Sequence, residues 1–278
     1  MNRITAFTLL ITVGLVAGSC SHSDNPQVLR FKYTSGKVLE YHQTNSSRIK
    51  VMEADSLVKD SRESVSAEVT QTVTRVLGDG TAEIAEVARW SALSPSKSDS
   101  TSMDTTKQTR ESSVYTAPNG KIVDLVFKTQ VDSASAAYLR NFYDQNSVVF
   151  PDTPVSVGGS WTQRVSVVID STQMEASTTY HIVRSVVDAG YDCLSVSYEG
   201  NLILPVLPMA SDSTHRKGVD RISMSGTFTF APGEGIVVGV QEKWSINGDR
   251  EKTIGGKLVK SKVTVNTDVT INLKSLKN

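Results

Sequence analysis

The sequence predicts a mainly β protein: antiparallel strands in two related β-rich halves, forming a curved sheet, half-barrel or sandwich, with one short amphipathic helix between the halves. Three observations lead there. Apolar residues alternate with Ser, Thr, Lys, Asp and Glu at a period of two along most of the chain, the mark of strands with one buried and one wet face. A single segment, 129–145, switches to helical spacing. Finally, three glycine-centred turns occur in the same order in both halves.

The chain opens with Asn2-Arg3, an apolar run from Ile4 to Val16, and Ala17-Gly18-Ser19-Cys20. A charged start, a short apolar stretch and small residues form a secretory signal, and a cysteine directly after them is the acylation point of a bacterial lipoprotein. Residues 1–19 therefore read as a signal peptide cleaved between Ser19 and Cys20, with diacylglycerol and a fatty acyl group such as palmitate on Cys20. The run is shorter than the roughly 20 residues that span a bilayer. Residues 20–28 read as a polar tether, and Ser21 in place of aspartate favours the outer membrane. The expected partner is thus the membrane, through acylated Cys20.

From 29 to 128 runs the first β-rich half, with Val65-Ala67-Val69-Val73 among its strands and two polar stretches, 52–63 and 91–113, expected as solvated loops or exposed hairpins. Val131, Ala134, Tyr138 and Phe142 then fall on one helical face, with Asp132 or Ser133 placed to cap its start. Phe150-Pro151-Asp152-Thr153-Pro154 follows as an extended joint, because its two prolines forbid a helix. The second half, 155–278, alternates clearly at Trp161-Gln163-Val165-Val167-Ile169, Leu194-Val196-Tyr198, Met224-Phe228-Phe230, Ile236-Val238-Val240 running to Trp244-Ile246, and Val263-Val265-Thr267-Val269-Ile271-Leu273. The last of these reads as an edge strand guarded by Lys260, Lys262 and Lys274.

Three pairs of turns relate the halves: Gly36 with Gly158, Gly78-Asp79-Gly80 with Asp188-Ala189-Gly190, and Pro118-Asn119-Gly120 with Pro232-Gly233-Glu234-Gly235. Duplication accounts for them; the alternative is a β meander that reuses one turn grammar.

Composition narrows the function. Lys plus Arg and Asp plus Glu each number 29, and removing Arg3 with the signal leaves a charge of about −1, which gives nucleic acid no electrostatic footing. With Cys20 acylated, Cys193 is the only thiol; it alternates with strand residues and reads as a packing residue. The four histidines, His22, His42, His181 and His215, have no metal-ligand spacing, and no nucleophile elbow, zinc-protease or phosphate-loop motif occurs. Ser-x-x-Lys spacings at Ser47, Ser56 and Ser94 stand in the wrong order relative to Ser23-Asp24-Asn25 for a serine acyl-enzyme. No cofactor, metal or catalytic residue is expected. Asp-Ser/Thr tripeptides centred on Ser56, Ser100, Thr105, Ser133, Ser171 and Ser213 resemble a bacterial O-glycosylation acceptor pattern, against the chance recurrence that a Ser/Thr-rich chain supplies.

The segment Phe150-Pro151-Asp152-Thr153-Pro154-Val155-Ser156-Val157-Gly158-Gly159-Ser160-Trp161 resembles a family of uncharacterised bacterial lipoproteins and secreted proteins with a Phe-Pro-x-x-Pro-Val-x-Val-Gly-x-Ser-Trp signature between two β-rich halves. Phe31-Lys32-Tyr33 through Tyr41 and Pro118 to Ile122 extend the likeness. Gly159 replaces an aspartate common in the family. The resemblance implies no activity and no catalytic residues. The signature residues Phe150, Pro151, Pro154, Val157, Gly158 and Trp161 are expected to form a stiff joint that seats Trp161 in the core. Two functions fit: a lipid-anchored carrier of an apolar ligand, held in a curved sheet behind the helix, or an interaction module of the envelope, binding another envelope protein, with a solid core.

Overall fold

The computed structural model describes residues 25–53, 56–95, 103–169, 172–205, 219–254 and 257–277. Among the described residues the period-two segments become eleven strands: β1 Val38–Glu53, β2 Ser56–Val76, β3 Ala82–Pro95, β4 Met103–Thr116, β5 Ile122–Phe127, β6 Ser160–Ile169, β7 Thr172–Asp188, β8 Tyr191–Pro205, β9 Val219–Ala231, β10 Ile236–Ile254 and β11 Lys257–Lys277, with one helix, α1, at Ser133–Asn146. The protein is mainly antiparallel β, as its alternation predicts.

All eleven strands form one open sheet in the order β5-β4-β3-β2-β1-β11-β10-β9-β8-β7-β6, and a sandwich is not formed. The chain enters at the centre with β1, zigzags out to the β5 edge, crosses with α1 to the β6 edge and zigzags back until β11 pairs with β1. The segment expected at an edge, Val263 to Leu273, is therefore central, with β10 on one side and β1 on the other. Its alternation was compatible with either place, because the flanking lysines lie on or beyond the wet phase whether or not the strand is paired. The polar stretches at 52–63 and 91–113 extend β1 to β4 as hairpin arms where they are described.

One face of the sheet builds one main core. Leu39, Tyr41, Val69, Val114, Leu125, Tyr180, Val196, Phe228, Val240 and Ile271, drawn from both halves, belong to the same buried cluster. A single face can enclose a core only by curling around something, and two elements fill the concavity. Residues 29–33 cross its lower end, where Phe31 packs on Phe150 and Phe230 at centroid distances of 5.1 and 5.6 Å. Helix α1 spans the open side.

The helix starts two registers after the onset of its apolar pattern because Asp132 caps it: the Asp132 carboxylate accepts from the Ser135 N–H at 2.9 Å and from its hydroxyl at 2.6 Å. Tyr138, Leu139, Phe142 and Tyr143 are its buried apolar and aromatic side chains, and Gln145 and Asn146 are buried at its end.

The paired turns share backbone geometry. Gly36 and Gly158 have φ of 89° and 82°, Gly80 and Gly190 of 84° and 86°, Gly120 and Gly235 of 94° and 66°. The Gly36 N–H donates to Val73 O as the Gly158 N–H donates to Ile182 O, both at 2.8 Å. The strands then bulge directly after Val73 and directly after Ile182.

Candidate functional site

The inner face of the half-barrel is apolar at its lower end and polar across the middle, where α1 lies against it. Two acids are fully buried on this face because each falls on the inward phase of its strand: Glu86 between Ile84 and Ala88 on β3, and Glu242 between Val240 and Trp244 on β10.

Glu86 is 1% exposed. Its carboxylate accepts from Gln71 Nε2 at 3.2 Å and from the Tyr143 hydroxyl at 3.2 Å, while Arg110 Nη2 donates to the same hydroxyl at 3.3 Å. Arg110 lies over the Trp90 ring, 5.6 Å from its centroid, and is itself buried. Burial pushes the Glu86 carboxyl up to about 7, even though Arg110, Gln71 and Tyr143 all favour its charged form. Tyr143 thus ties α1 to a buried carboxyl and a buried guanidinium in the first half.

Glu242 is 3% exposed. It belongs to a transverse inner row that runs Trp161, Tyr180, Tyr198, Gly226, Glu242, Val269, Asn45. Gly226 removes the side chain between the tyrosine and the acid, and the Tyr198 hydroxyl lies 3.0 Å from where a Cβ there would stand. Tyr198 and the Trp244 indole are the donors turned toward the carboxyl, yet neither reaches good hydrogen-bond geometry: both Glu242 oxygens and Trp244 Nε1 lack a partner. Burial with no neighbouring positive charge pushes this carboxyl up to about 7. Phe142 of α1 closes over Trp244, with ring centroids 5.6 Å apart. Consecutive helix residues therefore reach opposite halves, Phe142 the second and Tyr143 the first.

The rest of α1 is held by polar ends. Arg140 pairs with Asp124 at 3.1 Å and donates to the Leu125 carbonyl, and Gln145 bonds the Ile203 backbone. Asn146, also buried, has an unpartnered Nδ2.

The signature residues lie at the joint between α1 and β6. Phe150 is buried against Phe31, Phe230 and Trp161. Trp161 is half-buried, stacks on Tyr180 at 4.8 Å and donates its indole N–H to Val149 O at 3.0 Å. Pro151 presents its carbonyl to Arg30, Pro154 is exposed, Val157 packs against the main core from the rim, and Gly158 carries the turn. Cys193 is buried, and burial together with nearby Asp188 pushes its thiol up to about 12, the opposite of a reactive setting. Ser56, Thr105 and Ser133 are exposed. Ser19, Cys20, Ser100, Ser171 and Ser213 lie outside the described residues.

Two depressions of mixed polarity indent the outer face, of about 740 and 540 Å³. They share Asp268 and are lined by exposed small residues such as Ser225 and Ser64, as the wet face of a bent sheet would be.

No family model matches the chain, and no curated protein matches it. Among solved structures it is similar to a candidate lipoprotein from Parabacteroides distasonis ATCC 8503, with a TM-score of 0.26 at 13% identity over 88% of this chain and 96% of the other. An outer membrane channel from Pseudomonas putida F1 gives 0.27 at 8% identity, over 91% and 100%. The InvG secretin domain β-barrel of the Salmonella SPI-1 injectisome gives 0.15 at 10%, over 86% and 61%. At these TM-scores the likenesses carry no argument about function.

Proposed function

We propose that the protein is a lipid-anchored protein of the cell envelope, tethered to the membrane through acylated Cys20, that holds an apolar or amphiphilic ligand on the inner face of its half-barrel beside α1. The tether rests on the sequence at 1–28. The carrier reading rests on one observation: the Glu242 carboxyl and the Trp244 indole, beneath Phe142 of α1, and the Nδ2 of Asn146 at the end of that helix are buried without a well-formed hydrogen bond. A core that is complete in itself pairs its buried polar groups; an interior that leaves several unpaired is built for something more. The gap between the edges β5 and β6 is bridged by α1, which makes it the natural door.

The alternative, an interaction module with a solid core, is favoured at the lower end of the half-barrel, where Phe31, Phe150 and Phe230 fill the space. The two readings thus divide the interior, and ligand binding belongs to its middle and upper part. The matched turns and bulges further support descent of β1–β5 and β6–β10 from one duplicated five-strand unit, with β11 added to join them.

A mature chain from residue 20 with Cys20→Ser retains every described residue. Produced in a periplasm, purified without detergent and extracted with solvent, it is expected to release an amphiphile that native mass spectrometry also detects as an adduct. A ligand-free mass in repeated preparations rejects the carrier reading. Separately, loss of membrane fractionation on Cys20→Ser tests the anchor.

A further inference from the structure

Resting on the carrier reading, we propose that Glu242 is the recognition group of an internal site for the protonated amine head of an amphiphile.

Four observations converge on that residue. It is a carboxyl 3% exposed with neither oxygen bonded. Among the described residues no cation lies close enough to pair with it; Glu86, the other fully buried acid, by contrast has Arg110 nearby. Its surroundings are aromatic: Tyr198 in its own row, Trp244 two residues on, and Phe142 over Trp244. Gly226, the only glycine of that row, puts no side chain between Tyr198 and the acid, so that the tyrosine hydroxyl packs directly beside it.

A buried carboxylate with no cation beside it suits one head-group chemistry. An ammonium offers donors only, which matches two acceptor oxygens that the Tyr198 hydroxyl and the Trp244 indole leave without a well-formed bond, and it supplies the positive charge the site lacks. An anionic head meets repulsion from the same carboxylate, and a neutral alcohol supplies one weak donor. The direction of the tail follows from the rows above. Beyond Trp244 the inner face turns apolar again at Ile222, Leu202, Val265 and Ile49, each buried, so an alkyl chain with its head at Glu242 runs toward the β1/β2 and β10/β11 hairpins. The deeper end is closed by the Phe31, Phe150 and Phe230 cluster.

Dodecylamine, dodecanol and dodecanoate at pH 8, each below its solubility or micellar limit, are the probes, with tryptophan fluorescence and native mass spectrometry as readouts on the Cys20→Ser chain. Dodecylamine is expected to bind about tenfold more tightly than dodecanol, with dodecanoate weakest, a difference worth roughly 1.4 kcal/mol. Glu242→Gln is expected to abolish the preference for the amine while dodecanol affinity stays within about twofold, and Glu86→Gln to leave the preference intact; circular dichroism checks that both variants fold. Equal binding of amine and alcohol, or loss of the preference in Glu86→Gln instead, overturns the assignment of Glu242 while leaving the carrier reading standing. If none of the three amphiphiles binds, the carrier reading falls and the assignment with it.

Discussion

Gln145 of α1 stands in for a missing strand beside Ile203. The pairing of β7 with β8 ends at Thr178 and Gly200, and from there the two strands separate. The Gln145 side chain takes the vacated position: its Nε2 donates to Ile203 O at 2.9 Å and its Oε1 accepts from the Ile203 N–H at 2.7 Å. A side-chain amide has one donor and one acceptor face, as a peptide unit has, so it completes the ladder of a buried residue that no backbone reaches.

Gln145→Ala therefore leaves two buried backbone groups unbonded and is expected to destabilise the fold by about 2–4 kcal/mol. Gln145→Glu is expected to be at least as harmful at neutral pH, because a carboxylate accepts from the N–H but repels the carbonyl. Urea unfolding at constant slope measures both. A loss under about 0.5 kcal/mol in either variant refutes the strand-substitute role.

Gly120 and Gly36 separate two reasons for a turn glycine. Both have positive φ, at 94° and 89°. A Cβ on Gly120 would collide with the Val148 carbonyl and come 2.6 Å from the Phe31 ring, whereas one on Gly36 meets nothing within 4 Å. Gly36→Ala is expected to cost about 1 kcal/mol, from backbone strain alone, and Gly120→Ala at least twice that, since Phe31 and the segment entering the joint must also move. Similar losses at both positions in thermal unfolding count against this packing account.

The strands were legible in the sequence wherever their wet phase was polar, and so was α1: Tyr138 and Phe142 lie on its buried side and Asp132, one of the two cap residues expected, is its cap, while Val131 falls just before the helix. Strand order was not legible. Val263 to Leu273 carries the same alternation at an edge as at the centre, and only the closure of the meander on β1 decides between them. The site was partly readable: Ile84-Glu86-Ala88 and Val240-Glu242-Trp244 each place an acid on an apolar phase, a signal easily passed over when strands are identified by their apolar members alone. What the sequence lacks is the long-range company of those acids, because Arg110, Gln71 and Tyr143 meet Glu86 only through strand pairing and the helix crossover.

Cys193 supplies a test of core integrity. With its thiol pushed up to about 12 and buried in the main cluster, it holds almost no thiolate at pH 8. Alkylation of the folded Cys20→Ser chain is expected to proceed only as fast as the protein opens, and in denaturant at the rate of a free thiol. Rapid labelling without denaturant disagrees with this placement.

The two inner acids predict how stability depends on pH. Both are pushed up to about 7 in the folded protein from an ordinary 4.5, so the folded state binds protons that the unfolded chain has already released. Stability is then greatest below about pH 4.5 as far as these groups are concerned, declines between 4.5 and 7, and levels off above, by on the order of 3 kcal/mol for each acid. A neutral isostere removes the decline. Glu242→Gln is expected to be more stable than the parent at pH 8 and to lose that advantage near pH 5. Glu86→Gln gains less at pH 8, because it leaves buried Arg110 without its counter-charge and weakens the Tyr143 contact that seats α1. Urea titrations of the three proteins at pH 5 and pH 8 decide the matter: a Glu242→Gln advantage that is the same at both pH values shows that the gain is not one of ionisation, and a Glu86→Gln gain equal to that of Glu242→Gln shows that Arg110 does not depend on Glu86.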